Sequence, residues 1–150
     1  MSTIVTNKKA RFDYDILETL EAGLVLTGAE VKSIRNGNAK LDGSFVIVRG
    51  SQATVVIMHI GPYRYAPKES YVPDATRKIL LTTKEIDYLR GKTDEDGLTI
   101  VPLSLYTKGA RIKLEIGIAK GKKNYDKRRD IKDRENKRSL DRVRKYGRDE

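Results

Sequence analysis

Val101-Pro-Leu-Ser-Leu-Tyr106-Thr-Lys-Gly-Ala110-Arg-Ile-Lys-Leu-Glu115-Ile-Gly-Ile118 is the stretch that decides the fold. Val101, Leu103 and Leu105 alternate with period two. So do Ile112, Leu114, Ile116 and Ile118, with Arg111, Lys113 and Glu115 between them. Side chains on a strand point alternately to its two faces, so each run reads as a strand with one face in a core. Thr107-Lys108-Gly109-Ala110 joins them as a hairpin turn. Pro102 has no amide hydrogen, which places the first part of its strand at an edge or a bulge.

Outward from this hairpin, strand signals recur at Phe12-Tyr14-Ile16, Leu24-Leu26, Phe45-Val46-Ile47-Val48 and Ala53 to Ile60. Two short helices are marked by their starts. Thr27-Gly-Ala-Glu30 fits a capping box, leads into Val31, Ile34 and Arg35, and stops at Asn36-Gly37. Thr82-Thr-Lys-Glu85 fits another, leads into Ile86 and Leu89, and stops near Gly91. Residues 63–76 contain Pro67 and Pro73, follow Pro62 and have few apolar side chains, so they read as a mobile loop. About six strands with two or three short helices predict a mostly β chain: an OB-like closed antiparallel β-barrel, because closure removes exposed edges.

The charge is uneven. The chain of 150 residues carries 31 Lys and Arg against 21 Asp and Glu. Residues 1–119 hold +3 of the excess and residues 120–150 hold +7. The expected organisation is therefore an RNA-binding barrel, 1–119, followed by a basic C-terminal arm, 120–150. Tyr125, Ile131, Leu140, Val143 and Tyr146 are the arm's main apolar groups. They are too few to offset an ordering cost of ~1–2 kcal/mol per residue, which predicts disorder or partial helix when the arm is alone. Asp130 with Arg134, Asp133 with Lys137 and Asp141 with Lys145 support a helix formed on contact with RNA. The same charge run also fits a solubilising tail.

Enzyme chemistry lacks a constellation. His59 is the one histidine and there is no cysteine, so His-rich and cysteine-based metal sites are excluded. No G-x-S-x-G occurs. Gly117-Ile-Ala-Lys-Gly121-Lys122-Lys123 is similar to a phosphate loop, but one spacer residue short and without the Ser or Thr that holds magnesium. Asp94-Glu95-Asp96 reads as a solvated loop after the second helix. No cofactor is expected. The longest apolar run, Val55 to Met58, is far below the ~20 residues of a membrane span, and Met1 to Arg11 is no signal peptide. A soluble, cytoplasmic protein without membrane contact is expected.

A net charge of +10 favours an anionic partner, and the residue types fit RNA. Asn7, Lys8 and Lys9 precede the first strand signal, and Lys32 and Arg35 fall on the first helix. Arg77 and Lys78 lead into Ile79-Leu80-Leu81, and Lys120, Lys122 and Lys123 follow the last strand. A barrel has the means to gather these on one face. Tyr63, Tyr65 and Tyr71 offer stacking surfaces or serve as ordinary loop tyrosines.

Glu21-Ala-Gly-Leu-Val-Leu-Thr-Gly-Ala-Glu30-Val-Lys-Ser-Ile-Arg35 resembles the signature of the SmpB family, the SsrA-binding proteins that partner transfer-messenger RNA. Asn7-Lys-Lys-Ala10, Val101-Pro-Leu-Ser-Leu-Tyr106 and Gly117-Ile-Ala-Lys-Gly-Lys-Lys-Asn-Tyr-Asp126-Lys-Arg128 match further motifs of that family, in order and without large gaps. The resemblance implies trans-translation. The body binds the tRNA-like domain of transfer-messenger RNA and replaces its missing anticodon arm. The arm enters the decoding centre and the empty mRNA channel of a stalled ribosome and folds there as a helix. Elongation factor Tu shares the complex, and the protein, expected as a monomer, catalyses nothing.

By the same resemblance, Asn7, Glu21 and Leu80 serve RNA association, with core packing an equal reading for Leu80. Lys122 and Lys123 form the basic junction. Tyr125, Asp126, Lys127, Arg128, Lys132, Arg134 and Val143 belong to the ribosome-contacting tail. The chain departs from the family pattern at Ala75, Thr107 and Arg144, which bears on one phosphate contact and on distal-tail contacts. The competing classes are a barrel module that binds ribosomal RNA without delivering anything, and a nucleic-acid-processing enzyme.

Overall fold

The structure is a computed structural model that describes residues 2–95 and 97–122. The elements run β1 (Ser2–Thr6), α1 (Lys8–Asp13), β2 (Tyr14–Leu24), α2 (Gly28–Arg35), β3 (Ala39–Lys40), β4 (Phe45–Arg49), β5 (Gln52–Val56), β6 (His59–Ile60), β7 (Arg77–Leu80), α3 (Thr83–Glu95), β8 (Thr99–Lys108) and β9 (Arg111–Gly121). The described residues are mostly β, with three helices among them.

The alternating hairpin is β8 and β9. Its loop is two residues, Gly109 and Ala110, between the paired Lys108 and Arg111. Gly109 takes φ +62°, the left-handed region that a turn of this length needs at its first corner and that glycine enters without a Cβ clash. Pro102 sits beside a register shift between Pro102 and Ser104, so the missing donor falls at a bulge, as its chemistry predicts.

All ladders are antiparallel. They run β8–β4–β5–β7–β2–β9 and return to β8 through the hairpin, with β1 added on β8. The ladders are uneven. β2 and β9 pair from Tyr14–Gly121 to Gly23–Lys113. β4 meets β8 only at Val46–Ile100, and β2 meets β7 only at Gly23–Leu80 and Leu24–Ile79. β3 and β6 form a separate two-stranded ribbon.

Between the ladders lies the main core, which includes Ile34, Val55, Met58, Ile60, Ile79, Leu89, Leu105, Leu114 and Ile116. α1 builds a second, smaller core outside the sheet, in which Ala10 packs with Val101, Leu103 and Ala119. Residues 116–119 are consequently buried on both strand faces. Ile86 and Leu89 anchor α3.

Several expectations are corrected. Strand β1 precedes Asn7, and the Phe12 of the first strand signal belongs to α1, because Asn7 caps a helix there. Leu24 ends the long strand β2 rather than starting a new one. The run from Ala53 to Ile60 is broken at Ile57, whose φ is +62°, which turns the chain between β5 and β6. α3 passes through Gly91 to Glu95, so Asp94 and Glu95 close a helix instead of lying in the loop after it. The two capping boxes are both present. Thr27 and Glu30 exchange bonds of 3.1 and 3.0 Å, and Thr82 and Glu85 exchange bonds of 3.2 and 2.9 Å.

The loop between β6 and β7 is held at its far end, against the expectation of free mobility. Tyr71 donates its hydroxyl to Ile60 C=O at 2.8 Å, and the Ile60 amide donates to Pro73 C=O at 3.0 Å.

Candidate nucleic-acid interface

Three strands carry Leu80, Gly23 and Lys113 side by side, on β7, β2 and β9. Leu80 is 52% exposed, so the surface reading of this residue holds over the core reading. It lies on Gly23, where an added Cβ would come within 3.2 Å of the Leu80 Cβ. Glycine here lets the leucine lie flat and opens a groove. The groove has a volume of about 460 Å³ and is lined by Gly23, Leu24, Leu26, Val31, Leu80, Ala110, Arg111, Ile112 and Lys113. Its floor is apolar and its rim basic. Arg35 donates to Ala110 C=O at 2.9 Å, which ties α2 to the hairpin tip and sets a third cation beside Arg111 and Lys113. Lys78 is exposed on β7, two residues before Leu80. Lys32 lies one helical turn before Arg35, with its ammonium 5.4 Å from the centre of the Tyr63 ring.

Beside the groove stands Glu21. Tyr106 donates its hydroxyl to Glu21 Oε2 at 2.5 Å, and Lys108 Nζ reaches both carboxylate oxygens at 3.3 and 3.4 Å. The Tyr106 hydrogen bond, with smaller help from Lys108 and Lys113, holds the Glu21 carboxyl below its usual range, against a raising effect of burial. Burial and the Glu21 carboxylate together push the Tyr106 phenol well up. At neutral pH the pair is therefore a carboxylate and a protonated donor. A cavity of about 290 Å³ opens here, lined by Thr3, Thr19, Leu20, Glu21, Ser104, Tyr106 and Glu115. Such a carboxylate repels phosphate but accepts hydrogen bonds from base amino and imino groups.

A second basic cluster lies at the other end of the β2–β9 ladder. Lys8 and Lys9 are exposed on the first turn of α1, and Lys120 pairs with Asp15. The Lys122 amide donates to Asp13 C=O at 3.0 Å and its ammonium to Arg11 C=O at 3.4 Å. Lys113 and Lys120 are seven residues apart on β9, about 23 Å at ~3.3 Å per residue. The basic candidates thus fall into two clusters at opposite ends of one ladder rather than being gathered on one face. Lys123, Tyr125, Asp126, Lys127, Arg128, Lys132, Arg134 and Val143 lie outside the described residues.

Two candidates turn inward. Arg77 is 5% exposed, and its five N–H groups all have acceptors. These are Glu30 Oε2 at 2.6 Å, Met58 C=O at 2.6 Å, Ala75 C=O at 3.0 Å, Pro73 C=O at 2.9 Å and the Tyr71 hydroxyl at 3.4 Å. No donor is left for a phosphate. Ala75 offers its carbonyl to this clamp. Asn7 is 1% exposed. Its Oδ1 accepts from the Ala10 amide at 3.1 Å, capping α1, and its Nδ2 donates to Leu41 C=O at 3.2 Å and Pro102 C=O at 2.8 Å. Both residues hold the surrounding elements together from within. Arg111, Lys113, Tyr106 and Lys108 were missed as candidates, although Arg111 and Lys113 alternate outward in the hairpin pattern.

Among the described residues no group of three or more His, Cys, Asp or Glu is placed to hold a metal ion. His59 pairs with Asp74 at 2.9 Å. No helix among them is long and apolar enough to cross a membrane.

Known proteins share this architecture and sequence. A family model described as SmpB protein matches residues 4–146. An SsrA-binding protein of Syntrophobacter fumaroxidans is 49% identical over 147 residues, covering 98% of this chain and 91% of its own. One from Geobacillus thermodenitrificans is 51% identical over 140 residues, covering 93% and 90%. A chain of the solved structure "tmRNA-SmpB: a journey to the center of the bacterial ribosome" superimposes with a TM-score of 0.67 at 40% identity, covering 80% of this chain and 85% of that one. A match of this length in sequence, family pattern and fold means that the chain belongs to the SmpB protein family.

Proposed function

We propose that this chain is an RNA-binding protein of trans-translation. It binds the tRNA-like domain of transfer-messenger RNA, carries it to stalled ribosomes with elongation factor Tu in the same complex, and performs no catalysis itself. The observation that carries this reading is the near-full-length identity to proteins named SsrA-binding protein. The groove supports it: an exposed Leu80 on an apolar floor, ringed by Arg35, Arg111 and Lys113, with the Glu21 carboxylate beside it, suits base edges and backbone phosphates together. The ladders, returning on themselves through the hairpin, support an OB-like closed barrel as the frame. We place the protein in the cytoplasm as a monomer, with no cofactor.

Residues 120–150 act as the ribosome probe. Beyond the end of β9 we take the arm to be disordered when free and helical in the decoding centre and the empty mRNA channel. The root of this arm is β9 itself, which carries Lys120 and Gly121 inside its ladder with β2.

Titration of transfer-messenger RNA and of an equal-length control RNA at moderate salt tests the reading. The first binds more tightly; equal affinity overturns it in favour of a general RNA-binding module. A chain truncated after Ala119 retains weakened RNA binding and loses peptide tagging on stalled ribosomes. Tagging by that truncated chain would refute the role given to the arm.

A further inference from the structure

We infer that the RNA-binding surface continues past α2 onto the loop between β6 and β7, where Tyr65 is a stacking site for one unpaired nucleobase. This inference rests on the RNA-binding reading above.

The loop is built to present that ring. Its first residue, Gly61, donates its amide to Asn38 C=O at 2.9 Å, and an added Cβ would stand 2.1 Å from the Asn38 side chain. A Cβ there would displace the Asn38 side chain, so the glycine lets the loop start close against it, and Tyr63 then lies beneath Lys32. The Ala66 amide then donates to Tyr63 C=O at 3.1 Å, closing a turn with Arg64 and Tyr65 at its corner. The Tyr63 and Tyr65 rings meet edge to face, centroids 5.5 Å apart at 71°. Arg64 lies over the Tyr65 ring at 5.5 Å. With these neighbours in place Tyr65 is still 76% exposed, the most open of the large apolar side chains among the described residues.

An exposed aromatic ring with Arg64 over it, and Lys32 at the adjoining Tyr63, suits a flat ligand with anionic flanks. An unpaired nucleotide is that ligand. A paired base hides its faces in the duplex stack, whereas a looped-out base offers one to the ring and its phosphates to Arg64 and Lys32. Lys32 and Arg35 lie three residues apart on α2, so the helix links the loop tyrosines to the rim of the groove.

The chain has no tryptophan, so Tyr65→Trp places one reporter at the site in the full-length protein. Transfer-messenger RNA is the probe. Tyr65→Trp should bind it as the unmodified protein does, and the tryptophan emission should fall as RNA saturates. Tyr65→Ala should bind about 5- to 100-fold more weakly, the range that stacking on one base supplies, while Tyr65→Phe stays within about twofold. Saturable RNA binding with unchanged emission and an undiminished Tyr65→Ala affinity overturns the inference and leaves the RNA-binding reading intact. Emission that shifts to the blue only on ribosomes overturns it in favour of a protein contact. If the unmodified protein prefers no RNA, the RNA-binding reading itself fails.

Discussion

Two glutamates, Glu30 and Glu21, each pair with a cation, and they do opposite work. Glu30 meets Arg77 where the two side chains are 9% and 4% exposed. Glu21 meets Lys108 where they are 36% and 56% exposed. Around Arg77 water is excluded, every donor is matched, and one carboxylate also caps α2 through Thr27. The network joins α2, β7 and the loop before it into one piece. Around Glu21 the carboxylate stays at the surface, biased toward its charged form and available to a partner. The same residue types become architecture when buried and recognition when exposed.

The comparison breaks first at Arg77. Arg77→Ala leaves Glu30 buried without its cation and should cost about 3–5 kcal/mol of stability, read by urea or thermal unfolding. Arg77→Lys cannot restore the fork and should recover only part of this loss. A variant that unfolds like the parent would place the clamp outside the stabilising framework. Asn7→Ala removes a helix cap and two buried hydrogen bonds, and should cost about 2 kcal/mol. It should weaken RNA binding only through the altered seating of α1, so its loss of affinity is largest near the unfolding midpoint.

Leu80→Ala should act the other way. The leucine is half in water, so unfolding should move by no more than ~1 kcal/mol, while affinity for transfer-messenger RNA falls. A large stability loss with normal RNA binding would return Leu80 to a purely structural role. The smallest effect belongs to Tyr106→Phe. Loss of the Tyr106 hydrogen bond lets the Glu21 carboxyl rise toward its ordinary value, measurable by carboxyl NMR titration. Because the folded value is depressed, Glu21 contributes stability above the ordinary carboxylate range and loses it as pH falls through the lowered value. Tyr106→Phe should shrink that acid-side loss, and an unmoved Glu21 titration would show that the phenol is not its main partner.

The hairpin and both capping boxes were legible because their causes are local: a period of two, a Gly at a corner, a Thr three residues before a Glu. β1 was not, since Ser2–Thr6 has too few residues to show a pattern and pairs with β8 a hundred positions away. α1 was misread because Phe12, Tyr14 and Ile16 mimic a strand, and only the Asn7 cap decides otherwise. The basic surface was legible as composition and illegible as placement. Arg77 looks like any phosphate-binding arginine in sequence, yet three of its acceptors are backbone carbonyls, which leave no trace in residue identity. Leu80 showed its exposure only when its neighbour on the next strand was known to be Gly23.

The long β2–β9 ladder sets the two cationic clusters about 23 Å apart, close to three screening lengths at physiological salt, where one is ~8 Å. At that distance each cluster is electrostatically blind to the other. Under the proposed RNA-binding role, the ladder would make the molecule a rigid bivalent ligand for a polyanion that reaches both ends. Its grip is then avidity: once one end has docked, the other searches a small volume rather than the whole solution. Two weak handles on a stiff spacer also favour an RNA whose own phosphates keep that spacing, so the length of a strand becomes a criterion of selection.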